Sequence, residues 1–196
     1  MRRLAVLVVG LWVGLGWSSA ASAVPIQWTT ASGGNDHYYE IVTDNPLLWN
    51  DAKLFAESRG GYLATLTSAA ENAFVTSNSP ISDQDCGQCI WLGGFQNTSS
   101  PAFSEPSGAW EWVTGEAWSF TNWHPGEPNK VYPTENYLAF LQVAGPGYWN
   151  DHRDVPFSRQ LIEYDTNPIP EPSTALLLGL GLLAFSAFKR RPASRI

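Results

Sequence analysis

Asn122-Trp123-His124-Pro125-Gly126-Glu127-Pro128-Asn129, followed by Glu135 and closed by Trp149-Asn150-Asp151, concentrates oxygen donors in one loop. Glu127, Asn129, Glu135, Asn150 and Asp151 offer carboxylate and amide oxygens. These are hard donors that suit Ca2+ and suit zinc or copper poorly. Five side chains and the Asp151 carbonyl make about six ligands, with room for about two more in a Ca2+ shell. Three carboxylates against a dication leave one excess negative charge. Pro128 has a place in this scheme, because an X–Pro bond adopts cis at modest cost and a cis bond bends the chain sharply. Such a bend would let Glu127 and Asn129 converge on one ion. Glu-Pro-Asn by itself favours a trans proline in an ordinary surface turn, with Glu127 and Asn129 solvated. The company of Glu135 and Asn150-Asp151 favours the metal.

Outward from this loop, the chain divides into a patterned first half and a loop-rich second half. A strand is expected at Tyr38–Val42. A helix is expected over Leu48–Arg59, where Leu48, Ala52, Phe55 and Ala56 share one face and Gly60-Gly61 stop it. Tyr62–Thr67 alternates as a strand does. Ser68-Ala69-Ala70-Glu71 is a capping box that opens a second helix over Ala69–Ser77. Beyond Ser77, the residues Ser, Asn, Pro, Asp and Gly dominate. Strands are expected only at Ile90–Gly93, Trp110–Val113, Leu138–Gln142 and Gln160–Tyr164. Long structured loops in a compact domain are usually functional. Eight tryptophans follow Ala23, at 28, 49, 91, 110, 112, 118, 123 and 149. Most are expected to serve as packing, Trp91, Trp112, Trp123 and Trp149 among them.

Both ends differ from the middle. Residues 1–23 read as a secretory signal: Arg2 and Arg3, an apolar run from Leu4 to Trp17, then Ala21-Ser22-Ala23. An uncleaved membrane anchor is the alternative. Residues 24–165 form the domain, and 166–173 a proline-containing linker. Residues 174–188 form an apolar segment read as transmembrane, flanked by a basic tail over 189–196 that would remain cytoplasmic. Cys86 and Cys89, in Cys-Gly-Gln-Cys, are expected to close a small loop disulfide in an exported chain. A redox pair is the less favoured reading.

Val24–Pro170 carries five basic residues (Lys53, Arg59, Lys130, Arg153 and Arg159) against seventeen acids, a formal charge of −12. Such a surface repels phosphate backbones, so nucleic acid is not an expected partner, whereas cations are.

Several separated motifs together resemble the C-type lectin-like domain. Trp49-Asn50-Asp51-Ala52 through Gly60-Gly61-Tyr62-Leu63-Ala64 is similar to its first half, and Trp91-Leu92-Gly93-Gly94 to its core strand. Trp110-Glu111-Trp112-Val113-Thr114-Gly115 through Asn122-Trp123 resembles the approach to its long loop. Glu127-Pro128-Asn129, Glu135 and Trp149-Asn150-Asp151 resemble its principal Ca2+ and sugar site. The resemblance covers about His37 to Asp165 and implies an α+β fold, with two helices packed on small antiparallel sheets and a long ligand loop. It also implies that Glu127, Asn129, Glu135, Asn150 and Asp151 hold Ca2+ and bind two vicinal sugar hydroxyls. The Glu-Pro-Asn form resembles members preferring mannose, glucose or fucose, whereas Gln-Pro-Asp marks those preferring galactose.

The chain departs from that pattern in its cysteines. Ala56 and Ile162 stand where the resemblance implies one disulfide, Tyr137 and Asp154 where it implies another. Lys130 stands where an auxiliary Ca2+ site would need an acid, so one functional ion is expected. Pro170-Glu171-Pro172-Ser173-Thr174, the apolar run and Lys189-Arg190-Arg191 resemble a bacterial PEP-CTERM sorting signal. That resemblance implies export to the cell envelope, an exosortase as partner on the tail, and an exopolysaccharide as a candidate ligand.

Ca2+-dependent carbohydrate binding is therefore the leading expectation. A Ca2+-stabilised module for a protein or another surface ligand is the alternative. Glu127 and Glu135 could be imagined as a glycosidase pair, but metal ligands are poor general acids because the ion depresses their pKa. No enzyme activity is expected. His37, His124 and His152 could form a zinc site with nearby acids, since His124 and His152 lie near the same loop, but exposed loop histidines are the plainer reading.

Overall fold

In a computed structural model of the chain, the structure describes residues 24–78, 89–141 and 147–168. The signal segment, Cys86, the apolar segment, the basic tail and most of the linker lie outside these residues. Among the described residues, no helix is long and apolar enough to cross a membrane.

Among the described residues, ten strands and α-helices follow in order, with a short 3-10 turn at Thr30–Ser32 after the first: β1 (Ile26–Gln27), β2 (Tyr38–Leu47), α1 (Trp49–Ser58), β3 (Tyr62–Leu63), α2 (Ala69–Asn78), β4 (Ile90–Gln96), β5 (Trp110–Trp112), β6 (Tyr137–Phe140), β7 (Trp149–His152) and β8 (Phe157–Tyr164). The long pairing of β2 with β8, from Tyr38↔Tyr164 to Leu47↔Phe157, joins the two ends of the domain. Its register breaks between Thr43 and Leu47, a stretch containing Pro46, which has no backbone N–H to donate. β8 runs parallel to β4 through Ile90↔Arg159 and Trp91↔Gln160. β6 and β7 continue outward antiparallel from β4, and β5 pairs with β4 separately. The small antiparallel sheets expected are thus joined into one hydrogen-bonded network by that parallel pair.

Local sequence accounts for the helices. Trp49, Ala52 and Ala56 recur on one face of α1 and are buried against Leu63, Trp91 and Ile162. Gly60, at φ 81°, turns the chain away after the helix. At α2 the Ser68 hydroxyl accepts the Glu71 N–H at 3.1 Å. The Glu71 carboxylate does not return to Ser68. It accepts the Thr67 N–H at 2.7 Å and the Tyr39 hydroxyl at 2.5 Å.

Several strand boundaries differ from expectation: β2 runs on to Leu47, β5 stops at Trp112, β6 covers Tyr137–Phe140, β8 starts at Phe157, and β1 was not expected. Three further differences have identifiable reasons. β3 ends at Leu63 because the Thr65 N–H goes to the Glu163 carboxylate at 2.9 Å instead of to a strand. β4 extends to Gln96 because β5 and β6 supply partners along its far half. Read as part of a loop, Trp149–His152 is strand β7, paired residue by residue with β6. Ala56 and Ile162, both fully buried in one cluster, pack where the resemblance implied a disulfide.

Candidate functional site

β7 and the loop before it build the site together. Trp149 N–H donates to the Asn122 carbonyl and His124 N–H to the Trp149 carbonyl, both at 2.9 Å. These bonds form a parallel bridge between Trp123 and Trp149. Trp149 is fully buried. Its ring meets Trp112, Trp118, Phe120 and Trp123 within 5.9 Å, and its indole N–H donates to Asn72 Oδ1 on α2 at 2.9 Å. Trp91 and Trp112 are buried as well, and Trp123 is partly so. The start of this loop is therefore fixed to the core by aromatic packing and by backbone bonds.

The Glu127–Pro128 peptide bond is cis. Immediately after it, the backbone N–H groups of Asn129 and Lys130 donate to the Asp151 carboxylate at 3.0–3.2 Å. Lys130 has a positive φ of 51°, and successive N–H groups in such a turn form a concave anion cradle. Asn129 Oδ1 accepts the Val131 N–H at 2.9 Å, and Glu135 Oε2 accepts the Tyr132 N–H at 3.2 Å. The loop tip presents exposed Val131 and Tyr132, the latter beneath the Arg153 guanidinium at 4.5 Å.

Glu127, Glu135 and Asp151 feel one another. The Glu127 carboxyl is pushed up to about 7 by its burial, by a hydrogen bond shared with Asp151, and by the charges of Asp151 and Glu135. Glu135 and Asp151 are almost completely buried. Glu127 Oε2 is buried with no hydrogen-bond partner among the described residues. The loop's ammonium does not neutralise the group, since Lys130 Nζ reaches Glu105 at 3.1 Å. Adjacent buried carboxylates with an unsatisfied oxygen call for a proton or a cation.

Four of the five candidate ligands are linked by these contacts. Asn150, half-buried and opposite Ala139 in the β6–β7 register, alternates in burial with Trp149 and Asp151. Among the described residues, no three His, Cys, Asp or Glu side chains form a ready metal cage. The Asp151 carboxylate is instead turned onto backbone N–H groups. The donors nevertheless fit a hard cation in kind: carboxylate and amide oxygens, with one carboxylate oxygen unsatisfied.

The three histidines stand apart. His37 Nδ1 lies 2.7 Å from Glu163, the His124 ring packs on Tyr148, and the His152 ring meets both Trp91 and Phe157, themselves stacked, edge-on. Cys89 is partly buried, and its pairing with Cys86 falls outside the described residues.

Sequence reasoning passed over two features. Glu105 pairs with Lys130 and, like Glu127, precedes a cis proline; the repeated Glu-Pro dipeptide was the available signal. On the far side of the core, Tyr39, Glu71 and Glu163 share hydrogen bonds with His37 at the rim. No local motif announces that group.

Residues 45–155 match the Lectin C-type domain family. The chain belongs to that family. Residues 168–191 of this lectin-domain protein match the PEP-CTERM protein-sorting motif, which marks proteins for export and sorting to the cell envelope. The chain is 30% identical over 156 residues to C-type lectin lectoxin-Lio3 of Erythrolamprus poecilogyrus, covering 77% of this chain and 89% of that protein. It is 33% identical over 148 residues to Halomucin of Haloquadratum walsbyi, covering 65% of this chain but 1% of that protein. The C-type carbohydrate-recognition domain of cow CD23, crystallised in the presence of a GlcNAc2Man3 oligosaccharide, superposes with a TM-score of 0.55 at 21% identity. The superposition covers 74% of this chain and 95% of that one. These are typically non-enzymatic binding modules, and the family generally binds Ca2+.

Proposed function

We propose that this lectin domain binds Ca2+ through Glu127, Asn129, Glu135, Asn150 and Asp151, and through that ion the vicinal hydroxyls of a mannose-, glucose- or fucose-type sugar. The carrying observation is the group of three carboxylates with one buried Glu127 oxygen left unsatisfied. A bound Ca2+ would supply the missing positive charge and polarise the sugar hydroxyls. Around it, the Glu127 and Glu135 carboxylates accept hydrogen bonds from those hydroxyls, and the Asn129 and Asn150 amides donate to them. Asp151 positions Asn129 by holding the backbone on either side of its side chain. A single exposed site of this kind binds in about the millimolar range, and clustering on a surface raises avidity.

The protein's place follows from its two ends. Residues 1–23 direct export and are removed after Ala23. Residues 174–188 hold the chain in a membrane with the basic tail inside, at least until an exosortase acts at the Pro-Glu-Pro motif. An exopolysaccharide at the cell surface is the ligand this arrangement favours.

Calorimetry with Ca2+, then a glycan array with and without EDTA, tests the reading. Saturable Ca2+ binding and chelator-sensitive glycan signals are expected. Ca2+ binding that no monosaccharide modulates would make the domain a Ca2+-stabilised module for another surface ligand, and absent Ca2+ binding would end the proposal.

A further inference from the structure

A second concavity lies between the start of α1, the end of β4 and the start of β6. It is an open cavity of about 370 Å³, within the range of small-ligand sites. One wall is aromatic: Trp49 stacks on Tyr137 at 4.8 Å and meets Phe95 at 5.7 Å. Trp49 is fixed by its indole N–H, which donates to the Leu92 carbonyl at 2.8 Å. Gln96 and Asn136 also line the cavity. Gln96 is 4% exposed. Its amide nitrogen faces the carbonyls of Ser104, Pro106 and Gly108, at 2.8 Å for the last, which assigns the other end of the amide as oxygen. That oxygen, and Asn136 Oδ1, are both buried with no hydrogen-bond partner among the described residues.

Two buried acceptors without donors, beside a rigid aromatic wall, are costly unless something supplies O–H or N–H groups. No acid lines the cavity. Its one cation, Lys53, is paired with Glu57 at 2.6 Å, so no charge is left for an ionic ligand. We infer that this cavity is a second, metal-independent subsite for an uncharged polyhydroxylated ring, whose C–H face packs on the aromatic wall and whose hydroxyls donate to Gln96 and Asn136. Asn136 directly follows Glu135, so the subsite and the carboxylate group meet at the start of β6. The subsite does not rest on the Ca2+ reading, because none of its residues is a proposed metal ligand.

Saturation-transfer NMR on the full chain in EDTA, with methyl α-glucopyranoside, methyl α-mannopyranoside and maltotriose as probes, tests this. Transfer to ring protons of at least one probe is expected without Ca2+. Thr98→Trp, at an exposed rim position, should abolish it without lowering the melting temperature. Asn136→Leu should weaken binding by about fivefold, and Asp151→Ala should leave it unchanged. Should Asn136→Leu fail to fold, Thr98→Trp alone decides. No transfer from any probe, or transfer equal in Thr98→Trp, would mean that the cavity holds only water and would overturn the inference. Loss of only the Ca2+-dependent signal in Asp151→Ala separates this outcome from failure of the Ca2+ proposal.

Discussion

The Asp154 carboxylate accepts the backbone N–H of Trp49 at 2.8 Å, capping α1 from a residue 105 positions away. Leu48, at the N-cap position, offers no side-chain bond. Tyr137 stacks on the same tryptophan. The two residues standing where the family resemblance implied a cysteine pair are therefore both tied to Trp49. A helix cap and a stacked ring link the end of β7 to the start of β6.

Asp154→Ala should cost about 1 kcal/mol, the usual value of an N-cap, and lower the melting temperature by about 3 °C. Asp154→Asn keeps a capping oxygen and should retain most of the stability. Thermal melts of the two variants check this, and equal losses would show that charge rather than the cap matters.

Asp151→Asn should remove Ca2+ stabilisation while sparing the fold. The substitution keeps the side-chain shape and relieves the repulsion that lifts Glu127. In the parent, Ca2+ at a hundred times its dissociation constant should add about 2.7 kcal/mol. Differential scanning calorimetry with and without Ca2+ should show that increment vanish in the variant.

Ca2+ affinity should depend on pH around neutrality. Glu127 holds its proton up to about 7 in the folded protein, and a metal must displace it. Below that value, affinity should fall by about tenfold per pH unit for the one proton released, and above it should level off. Titrations from pH 5.5 to 8.5 would reveal the bend, and Glu127→Gln should flatten it.

Fold stability should run the other way with pH. His37 is raised above 6.5, chiefly by its hydrogen bond to Glu163, and Glu163 is raised chiefly by burial. Each group binds its proton more tightly folded than unfolded. The stability each contributes is thus complete below its unfolded value, 4.5 for Glu163 and 6.5 for His37, and is lost as pH climbs from there through the raised value. Melting temperatures in EDTA should decline across that window, and less steeply in His37→Gln.

Sugar preference should follow the loop. Glu127→Gln with Asn129→Asp should move the glycan profile toward galactose, read on the same array; an unchanged profile would place the sugar elsewhere.

Much of this molecule is written locally. The face of α1, the Ser68 cap of α2, the stop at Gly60 and the Glu127-Pro128-Asn129 run each lie within a few residues, and short-range sterics and hydrogen bonding decide them. β7 was not legible, because Trp149–His152 becomes a strand only when β6 and the Asn122–His124 backbone pair with it. The same holds for the Lys130–Glu105 pair, and for the His37, Tyr39, Glu71 and Glu163 group, which spans 126 positions. The chain alone thus settled where the two helices form, which donors exist and which family they belong to. Folding decided how those donors are used. It turned Asp151 onto the Asn129 and Lys130 N–H groups, left Glu127 with an unsatisfied oxygen, and placed Gln96 and Asn136 beside one aromatic wall. Burial and charge coupling arise between residues far apart in sequence, and only packing brings them within reach.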